Sequence, residues 1–153
     1  MDLKQLFETA LESHRAGDLQ SADGVYRQIL EHHPEHPDAL NLRAAIAMDG
    51  AQYARAAELL RRAIAVTDQV PEFHCHLGNA LQGVGDFDAA AAAYRRAIAL
   101  RPDYREAHSS LGFALAQLGA LPEAIACFNA VLDVEPDYFF ALNNLGDALV
   151  RQG

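Results

Sequence analysis

The residues of this chain that could do chemistry are seven histidines and two cysteines, whose side chains can bind metal ions or transfer protons. His74 and His76 lie two residues apart, and because a helix turns by about 100° per residue, their side chains would point in nearly opposite directions. His32, His33 and His36 lie in a predicted loop, where nothing fixes the convergent ligand geometry that zinc requires. The spacing therefore predicts structural or solvent-exposed histidines and no metal site.

The cysteines and the short motifs give no sign of covalent catalysis. Cys75 and Cys127 are separated by 52 residues, which matches neither a C-x-x-C motif nor a disulfide framework. The sequence contains no P-loop, no dinucleotide-binding fingerprint, no nucleophile elbow and no H-E-x-x-H motif. We therefore predict that the chain is not an enzyme and that it uses no cofactor.

The charge balance excludes two classes of partner. The chain has 12 lysines and arginines against 21 aspartates and glutamates, so its formal net charge is −9. Nucleic acids and anionic membrane surfaces both require clustered cations, and we expect neither as a partner. The sequence begins without the basic and apolar segments of a secretory signal, and it has no apolar run of about 18 residues, so we expect no membrane insertion and a cytoplasmic location.

Any functional side chain must be positioned by a repeated element, because small residues recur along the chain at a fixed period. Glycines stand at positions 17, 85, 119 and 153, prolines at 34, 102 and 136, and alanines at 22, 56, 90 and 124. All of these spacings are multiples of 34 residues, a period typical of stacked repeats, which present an extended surface rather than an enclosed pocket. The chain then divides into repeats 3–36, 37–70, 71–104 and 105–138 and a half repeat, 139–153.

Each full repeat is predicted to contain two amphipathic helices. In the third repeat, Phe73, Leu77 and Leu81 recur at helical spacing. Gly85 then ends the first helix, since glycine tolerates the left-handed conformation at a helix C-terminus. Pro102 ends the second helix, because proline has no N–H to donate.

The residues at these fixed positions carry a resemblance. In the third repeat they are Leu77-Gly78, Leu81, Gly85, Phe87, Ala90, Tyr94, Ala97 and Pro102. The fourth repeat has Leu111-Gly112, Leu115, Gly119, Leu121, Ala124, Phe128 and Pro136, and the half repeat has Leu145-Gly146, Leu149 and Gly153. This pattern resembles the tetratricopeptide repeat (TPR) signature. The resemblance implies an all-α fold, an α-solenoid of about 4.5 repeats in which antiparallel helix pairs form a right-handed superhelix, and a single TPR domain over 1–153.

Two repeats depart from the signature. The first has Thr9, Ala10 and Ser13 where leucine, glycine and a large residue are usual, as expected of an atypical terminal repeat. The second has Arg43 at the leucine position, and its turn carries Gly50 one place early. We expect the second repeat to be the least regular, with Arg43 extending its charge into water.

The resemblance also implies where a partner would bind, because in this family the groove is lined by the first helix of each pair. Carried over by position, the partner-binding residues are Asn41, Cys75, Asn79, Gln82, Ser109, Phe113, Phe140, Asn143 and Asn144. Amides can hold a peptide backbone through both a donor and an acceptor. Phe113 and Phe140 are expected to be neighbours on adjacent helices and to anchor an apolar side chain. The alternative is that Phe139 or Phe140 packs against a further repeat.

The predicted function is that of a non-catalytic protein–protein interaction scaffold, which binds a partner protein or peptide on its concave face. Chaperone-tail binding is not expected, since the groove positions lack lysine and arginine. One alternative is the substrate-recruiting arm of a larger enzyme such as an O-linked glycosyltransferase, which the Asn143-Asn144 pair favours. Because the final helix has an apolar packing face, we expect 1–153 to be the N-terminal part of a longer protein. The other alternative is a homo-oligomer assembled through the end faces.

Overall fold

The structure, a computed structural model, describes residues 2–153 and contains nine α-helices and no strand within that range. The helices are α1 (Leu3–Arg15), α2 (Leu19–His32), α3 (Pro37–Asp49), α4 (Tyr53–Val66), α5 (Pro71–Val84), α6 (Phe87–Leu100), α7 (Arg105–Gln117), α8 (Leu121–Leu132) and α9 (Phe139–Gln152). Across the same range, no helix has the length and apolar character needed to cross a membrane.

The helix starts follow the 34-residue period. The first helices of successive pairs begin at positions 3, 37, 71, 105 and 139, and the second helices begin at 19, 53, 87 and 121. Every start is therefore 34 residues after its counterpart. The predicted fold class, an all-α solenoid built from helix pairs, is confirmed.

The tertiary contacts divide the chain into two compact units, the first ending at Gln69 and the second spanning Val70–Gly153. In the first unit, α1 packs on α2, α2 on α3, and α3 on α4. In the second unit, α5 to α9 pack in the same order, and α5 also contacts α7 while α7 contacts α9. The first helices of the second unit therefore lie side by side and can share one face. That a single domain spans 1–153 stays a prediction.

The turns inside the helix pairs depend on a left-handed residue. Gly17, Gly85 and Gly119 have φ angles of 81°, 89° and 81° and follow the first helices of the first, third and fourth repeats. In the second repeat the equivalent position is Ala51, which has φ 55° and is the one non-glycine residue of 2–153 with a positive φ. Gly50, one place early, has φ −85°. The displaced glycine therefore leaves the left-handed position to a residue with a Cβ atom.

Glycine also sets the separation of the two helices in a pair. An alanine Cβ at Gly78 of α5 would lie 2.4 Å from the ring of Tyr94 on α6, and one at Gly112 of α7 would lie 2.7 Å from the ring of Phe128 on α8. Both rings are fully buried. The predicted pairing of small and large residues is therefore seen as direct contact between the backbone of the first helix at glycine and an aromatic ring of the second helix.

Arg43 does not extend into water, and that expectation is wrong. Its side chain is 10% exposed, and its Nε donates a hydrogen bond to Oδ1 of Asp23 over 2.7 Å. Asp23 lies on α2, which packs on α3, so it brings a carboxylate to the largely buried charge of Arg43. A charge-assisted hydrogen bond of this kind compensates for lost hydration.

We expect the Ala51→Gly substitution to raise the free energy of unfolding by about 1 kcal/mol. A left-handed backbone costs a residue with a Cβ roughly 1–2 kcal/mol, and the extra unfolded-state entropy of glycine offsets part of the gain. Urea denaturation measures the change. The matched control is Gly85→Ala, which should lower stability by a similar amount, and an Ala51→Gly protein no more stable than the parent would contradict the argument.

The ring contact at Gly112 and the open space at Gly146 predict opposite effects of the same glycine-to-alanine substitution at equivalent positions. Gly112→Ala should lower the free energy of unfolding by about 1–3 kcal/mol, because its Cβ overlaps the Phe128 ring. Gly146→Ala should raise it by up to about 1 kcal/mol, since nothing lies within 4 Å of the added Cβ and alanine favours the helix. Thermal unfolding followed by circular dichroism compares them, and equal losses at both sites would refute the contact.

Candidate functional site

The predicted site residues of the second unit lie on its three first helices, α5, α7 and α9. Because these helices repeat every 34 residues, Asn79, Phe113 and Asp147 occupy equivalent positions on them. The helices contact one another in the order α5, α7, α9, so equivalent side chains share one face. We call this the groove face and define it by the predicted residues that it exposes: Asn79, Gln82, Phe113, Phe140, Asn143 and Asn144.

Three phenylalanine rings form a continuous strip on this unit. The centroids of Phe113 and Phe140 are 6.5 Å apart with the ring planes at 40°, which confirms the predicted neighbourhood. Phe87, at the start of α6, extends the strip, with its centroid 6.4 Å from that of Phe113 and an edge-to-face angle of 60°. Phe140 is 41% exposed, and the other two rings are half-buried. The strip therefore offers apolar aromatic surface to solvent on a support of packed rings.

Phe87 is the member of this strip that the sequence analysis missed. Its position in the repeat matches packing residues such as Leu121 and Tyr53, and a single repeat gives no reason to place it in a site. The sequence feature that could have placed Phe87 in the strip is its location two residues after Gly85, at the start of α6, because α6 packs beside α7.

The amides of Asn79 and Gln82 are held by a tyrosine from the neighbouring helix. The Tyr94 hydroxyl lies 2.8 Å from Oδ1 of Asn79 and 3.2 Å from Oε1 of Gln82, and its single proton is shared between the two oxygens, with the shorter bond to Asn79. Burial raises the pKa of Tyr94, so the hydroxyl stays protonated and able to donate at neutral pH. With their oxygens turned to Tyr94, the two amides present their nitrogens as donors, which suits the carbonyl groups of a peptide backbone.

The two asparagines of α9 differ in what they present. Asn143 is exposed, whereas Asn144 is half-buried and its Nδ2 donates to the Phe140 carbonyl oxygen over 2.7 Å, one turn earlier in the same helix. That bond occupies one of the two protons of the Asn144 amide. Asp147 is exposed and lies 3.6 Å from Arg151, an i,i+4 ion pair at the surface. Asn143 therefore presents the more accessible amide.

Cys75 and Ser109 lie beneath the groove face rather than on it. Cys75 is 3% exposed and Ser109 is 1% exposed, on helices α5 and α7, which contact each other. Burial raises the pKa of Cys75 to about 11, so the thiol is protonated at neutral pH and unreactive. A partner resting on the surface cannot touch side chains this deep, and we keep neither residue among the contact candidates.

Asn41 and the histidines are not among the residues of the groove face. Asn41 lies half-buried on α3 of the first unit. Nδ1 of His36 accepts a hydrogen bond from the Ala39 backbone N–H over 3.2 Å and so caps α3. Burial lowers the pKa of His76, although Glu72 opposes the effect. In the part of the chain that the structure describes, no three side chains of the metal-binding types come together.

The first unit shows what happens when the amide partners are missing. Tyr26 on α2 is the counterpart of Tyr94, two repeats earlier, and its buried hydroxyl has no hydrogen-bond partner. Leu11 stands where α5 has Asn79, and His14 stands where α5 has Gln82; the buried Nδ1 of His14 is also unpartnered. The tyrosine–amide contact is therefore a feature of the second unit, built by two side chains of α5.

Three family profiles match the sequence. Two are described as tetratricopeptide repeat and match residues 13–75 and 75–133, and a third, described as TPR repeat, matches residues 114–153. Together they cover the chain from residue 13 to its last residue. No curated protein matches the sequence.

Solved structures share the fold. A crystal structure of MamA superposes with a TM-score of 0.88 at 24% identity, covering 95% of this chain and 80% of that one. YrrB, described as a TPR protein with an unusual peptide-binding site, gives a TM-score of 0.87 at 22% identity and covers 99% of this chain and 78% of its own. A mutant O-GlcNAc transferase from Thermobaculum terrenum gives 0.79 at 29% identity, covering 86% of this chain and 26% of the enzyme.

The two buried tyrosines predict different costs for the same substitution. Tyr94→Phe removes the hydroxyl that holds Asn79 and Gln82 and should lower the free energy of unfolding by about 1 kcal/mol. Tyr26→Phe removes a buried hydroxyl without a partner, so we expect no loss or a gain of up to about 1 kcal/mol. Urea denaturation of both variants is the measurement, and equal losses would show that the hydroxyl of Tyr94 does not act through the two amides.

Proposed function

The chain belongs to the tetratricopeptide repeat family, and we propose that it is a non-catalytic scaffold whose second unit binds an extended segment of a partner protein on the groove face. The observation that supports this most directly is the juxtaposition of a partly exposed aromatic pair with oriented amides. Phe113 and Phe140 lie 6.5 Å apart, and the Asn79 amide on the same face is fixed by Tyr94. An apolar side chain and a peptide backbone are the two chemistries that this face can hold.

The aromatic pair would supply most of the affinity. Rings that are already packed lose little conformational freedom on binding, and aromatic residues dominate the binding energy of many interfaces. Phe140 is 41% exposed, so a bound apolar side chain would remove a large part of its remaining surface from water. We therefore propose Phe140 as the main anchor and Phe113 as the wall behind it.

The amides and the charge would set what kind of segment binds. Side-chain amides bonded to backbone groups do not discriminate among side chains, so the backbone contacts would tolerate many sequences. The net charge of −9 and the exposed Asp147 on α9 disfavour acidic segments. We propose a neutral or basic segment with one large apolar residue.

The second candidate function is that of a substrate-recruiting arm in a larger enzyme. It is favoured by the 29% identity to an O-GlcNAc transferase, in which the matched region makes up 26% of the enzyme chain. The binding chemistry of the groove face would be the same in both functions. A catalytic domain encoded in frame with this chain would decide for the enzyme arm, and its absence from the complete gene would decide against it.

Substitution of Phe140 tests the groove face. Peptides selected from a displayed random library against the whole chain provide a fluorescent probe, and binding is measured by anisotropy. We expect Phe140→Ala to weaken binding at least about tenfold, because the main anchor is lost. Asn79→Ala should weaken it less, since the backbone contact is shared among several amides.

Phe139 offers a matched control for this experiment. It is the adjacent residue on α9, of the same type and 80% exposed, and it lies about 100° around the helix from Phe140. Phe139→Ala should leave the affinity within about twofold, as expected for a residue outside the contact. The groove face would be rejected if no peptide were selected, or if the two phenylalanine variants bound alike.

A further inference from the structure

A cavity of about 200 Å³ lies between α2, α3 and α4 in the first unit. Its charged and polar lining residues are Gln20, Asp23, Arg43, Gln52 and Arg55, and we call it the arginine cavity. The Arg43 side chain is 10% exposed, and its Nε donates to Oδ1 of Asp23. Within residues 2–153 that is the one hydrogen bond of this guanidinium group, so its two terminal nitrogens remain as donors for a ligand.

Three arginines lie in or beside this cavity, together with one carboxylate. Oδ1 of Asp23 bonds to Arg43, and its Oδ2 lies 3.5 Å from Nη2 of Arg27. Arg55 donates instead to the neutral Oε1 of Gln52 over 3.1 Å. Asp23 is the one acid among the described residues that line the cavity. The arginine cavity therefore has a local excess of positive charge, although the formal net charge of the chain is −9.

The cavity lies beside the start of α4, where a helix favours an anion. Gln52 is the N-cap residue of α4, and Arg55 is its third residue. The equivalent N-cap residues of α2 and α6 are Asp18 and Asp86, whose carboxylates accept hydrogen bonds from backbone N–H groups of the first turn. Gln52 makes no such bond, and the first turn of α4 has no acid. At α4, therefore, no carboxylate neutralises the positive end of the helix dipole.

The buried ion pair is a departure from the period. Asp23 on α2 and Arg43 on α3 join two helices that pack together, and the equivalent residues of α6 and α7 are Ala91 and Leu111. These two are 2% and 6% exposed, so an apolar pair fills the equivalent places in the second unit. Replacing a buried ion pair by apolar residues is often neutral or stabilising. A charged ligand accounts for charges that the packing of the helices does not require.

We propose that the arginine cavity binds a phosphate group, which Arg43 and Arg55 hold by charge-assisted hydrogen bonds beside the start of α4. A guanidinium group presents paired N–H donors that match the oxygens of phosphate. Phosphate is tetrahedral, so it can bond to two guanidinium groups from different sides, whereas one bidentate guanidinium occupies both oxygens of a carboxylate. The cavity is smaller than the roughly 300–1,000 Å³ of most ligand pockets, so it suits a single such group rather than a cofactor.

This site is independent of the proposed function, because the arginine cavity belongs to the first unit and the groove face to the second. Its lining residues come from α2, α3 and the start of α4, so a bound phosphate would connect three helices of the first unit. A ligand that binds only the folded chain stabilises it increasingly as its concentration exceeds Kd. The phosphate group can be a free ion or can be carried on a side chain of a partner protein.

Nuclear magnetic resonance of the whole isotope-labelled chain tests the site with inorganic phosphate at neutral pH, with the ionic strength held constant by sodium chloride. The signals followed are the backbone amides of residues 52–56 and the Nε–H groups of Arg43 and Arg55. We expect these signals to shift and to saturate, with a Kd on the order of 1 mM. N-acetyl-phosphoserine amide is the second ligand. If it binds more tightly than inorganic phosphate, the site receives a phosphorylated side chain of a partner, and if it does not, the site receives the free ion.

A double variant removes the site without changing the net charge of the chain. Asp23→Ala combined with Arg43→Leu installs the apolar pair that α6 and α7 carry, so we expect the helices still to pack. The affinity for phosphate should fall at least about tenfold, because the buried guanidinium group is lost. Arg55→Gln should also lower it about tenfold, and because Arg55 is exposed, this variant tests the site even if the double variant does not fold.

Arg61 provides the matched control. It is another exposed arginine of α4, and it does not line the cavity. Arg61→Gln removes the same charge as Arg55→Gln and should leave the affinity within about twofold, since exposed charges outside a contact contribute little. The proposal is overturned if phosphate gives no saturable shift at the arginine cavity, if the folded double variant binds as the parent does, or if Arg61→Gln weakens binding as much as Arg55→Gln.

Discussion

The close approach of Tyr94 to Gly78 is the contact on which the second unit depends. The ring of Tyr94 occupies the place where any other residue would put a Cβ, 2.4 Å from the nearest ring atom, so the separation of α5 and α6 is set by a backbone and a ring. Phe128 does the same with Gly112 between α7 and α8. Because packed interiors transmit strain rather than absorb it, a change at this contact would move the whole helix pair.

The same tyrosine links packing to the groove face. Its ring fills the space at Gly78, and its hydroxyl reaches past the ring to the oxygens of Asn79 and Gln82. A side chain that the period identifies as a packing residue therefore also orients two groove amides. The phenylalanine at the equivalent position, Phe128, lacks a hydroxyl, and the groove position of α7 that matches Asn79 is Phe113 rather than an amide. In the second unit, the amide of Asn79 thus accompanies a tyrosine on the paired helix, whereas Phe113 accompanies a phenylalanine, Phe128.

The sequence predicted the features that follow from the 34-residue spacing. It did not predict which polar side chains on different helices form hydrogen bonds or ion pairs with one another. Helix starts, the left-handed turns at Gly85 and Gly119, and the Phe113–Phe140 pair follow from spacing. The partnership of Arg43 with Asp23 could not be predicted, because the period specifies which helices pack but not which polar groups meet. The burial of Cys75 and Ser109 could not be predicted for a similar reason. The position of a residue on a first helix predicts which way its side chain points, but not how deeply that side chain is buried.

Departures from the pattern are concentrated in the first unit, and they have a common physical consequence. Ala51 holds a left-handed backbone that glycine holds elsewhere, and the buried hydroxyl of Tyr26 lacks the amides that satisfy Tyr94. Each departure removes some of the free energy that stabilises its counterpart in the second unit. Since the stability of a repeat array is approximately the sum of the repeats and their interfaces, the two units need not be equally stable. In the second unit, glycine holds the left-handed turns and the Tyr94 hydroxyl has amide partners. A binding face whose side chains are already held in place loses less conformational freedom when a partner binds.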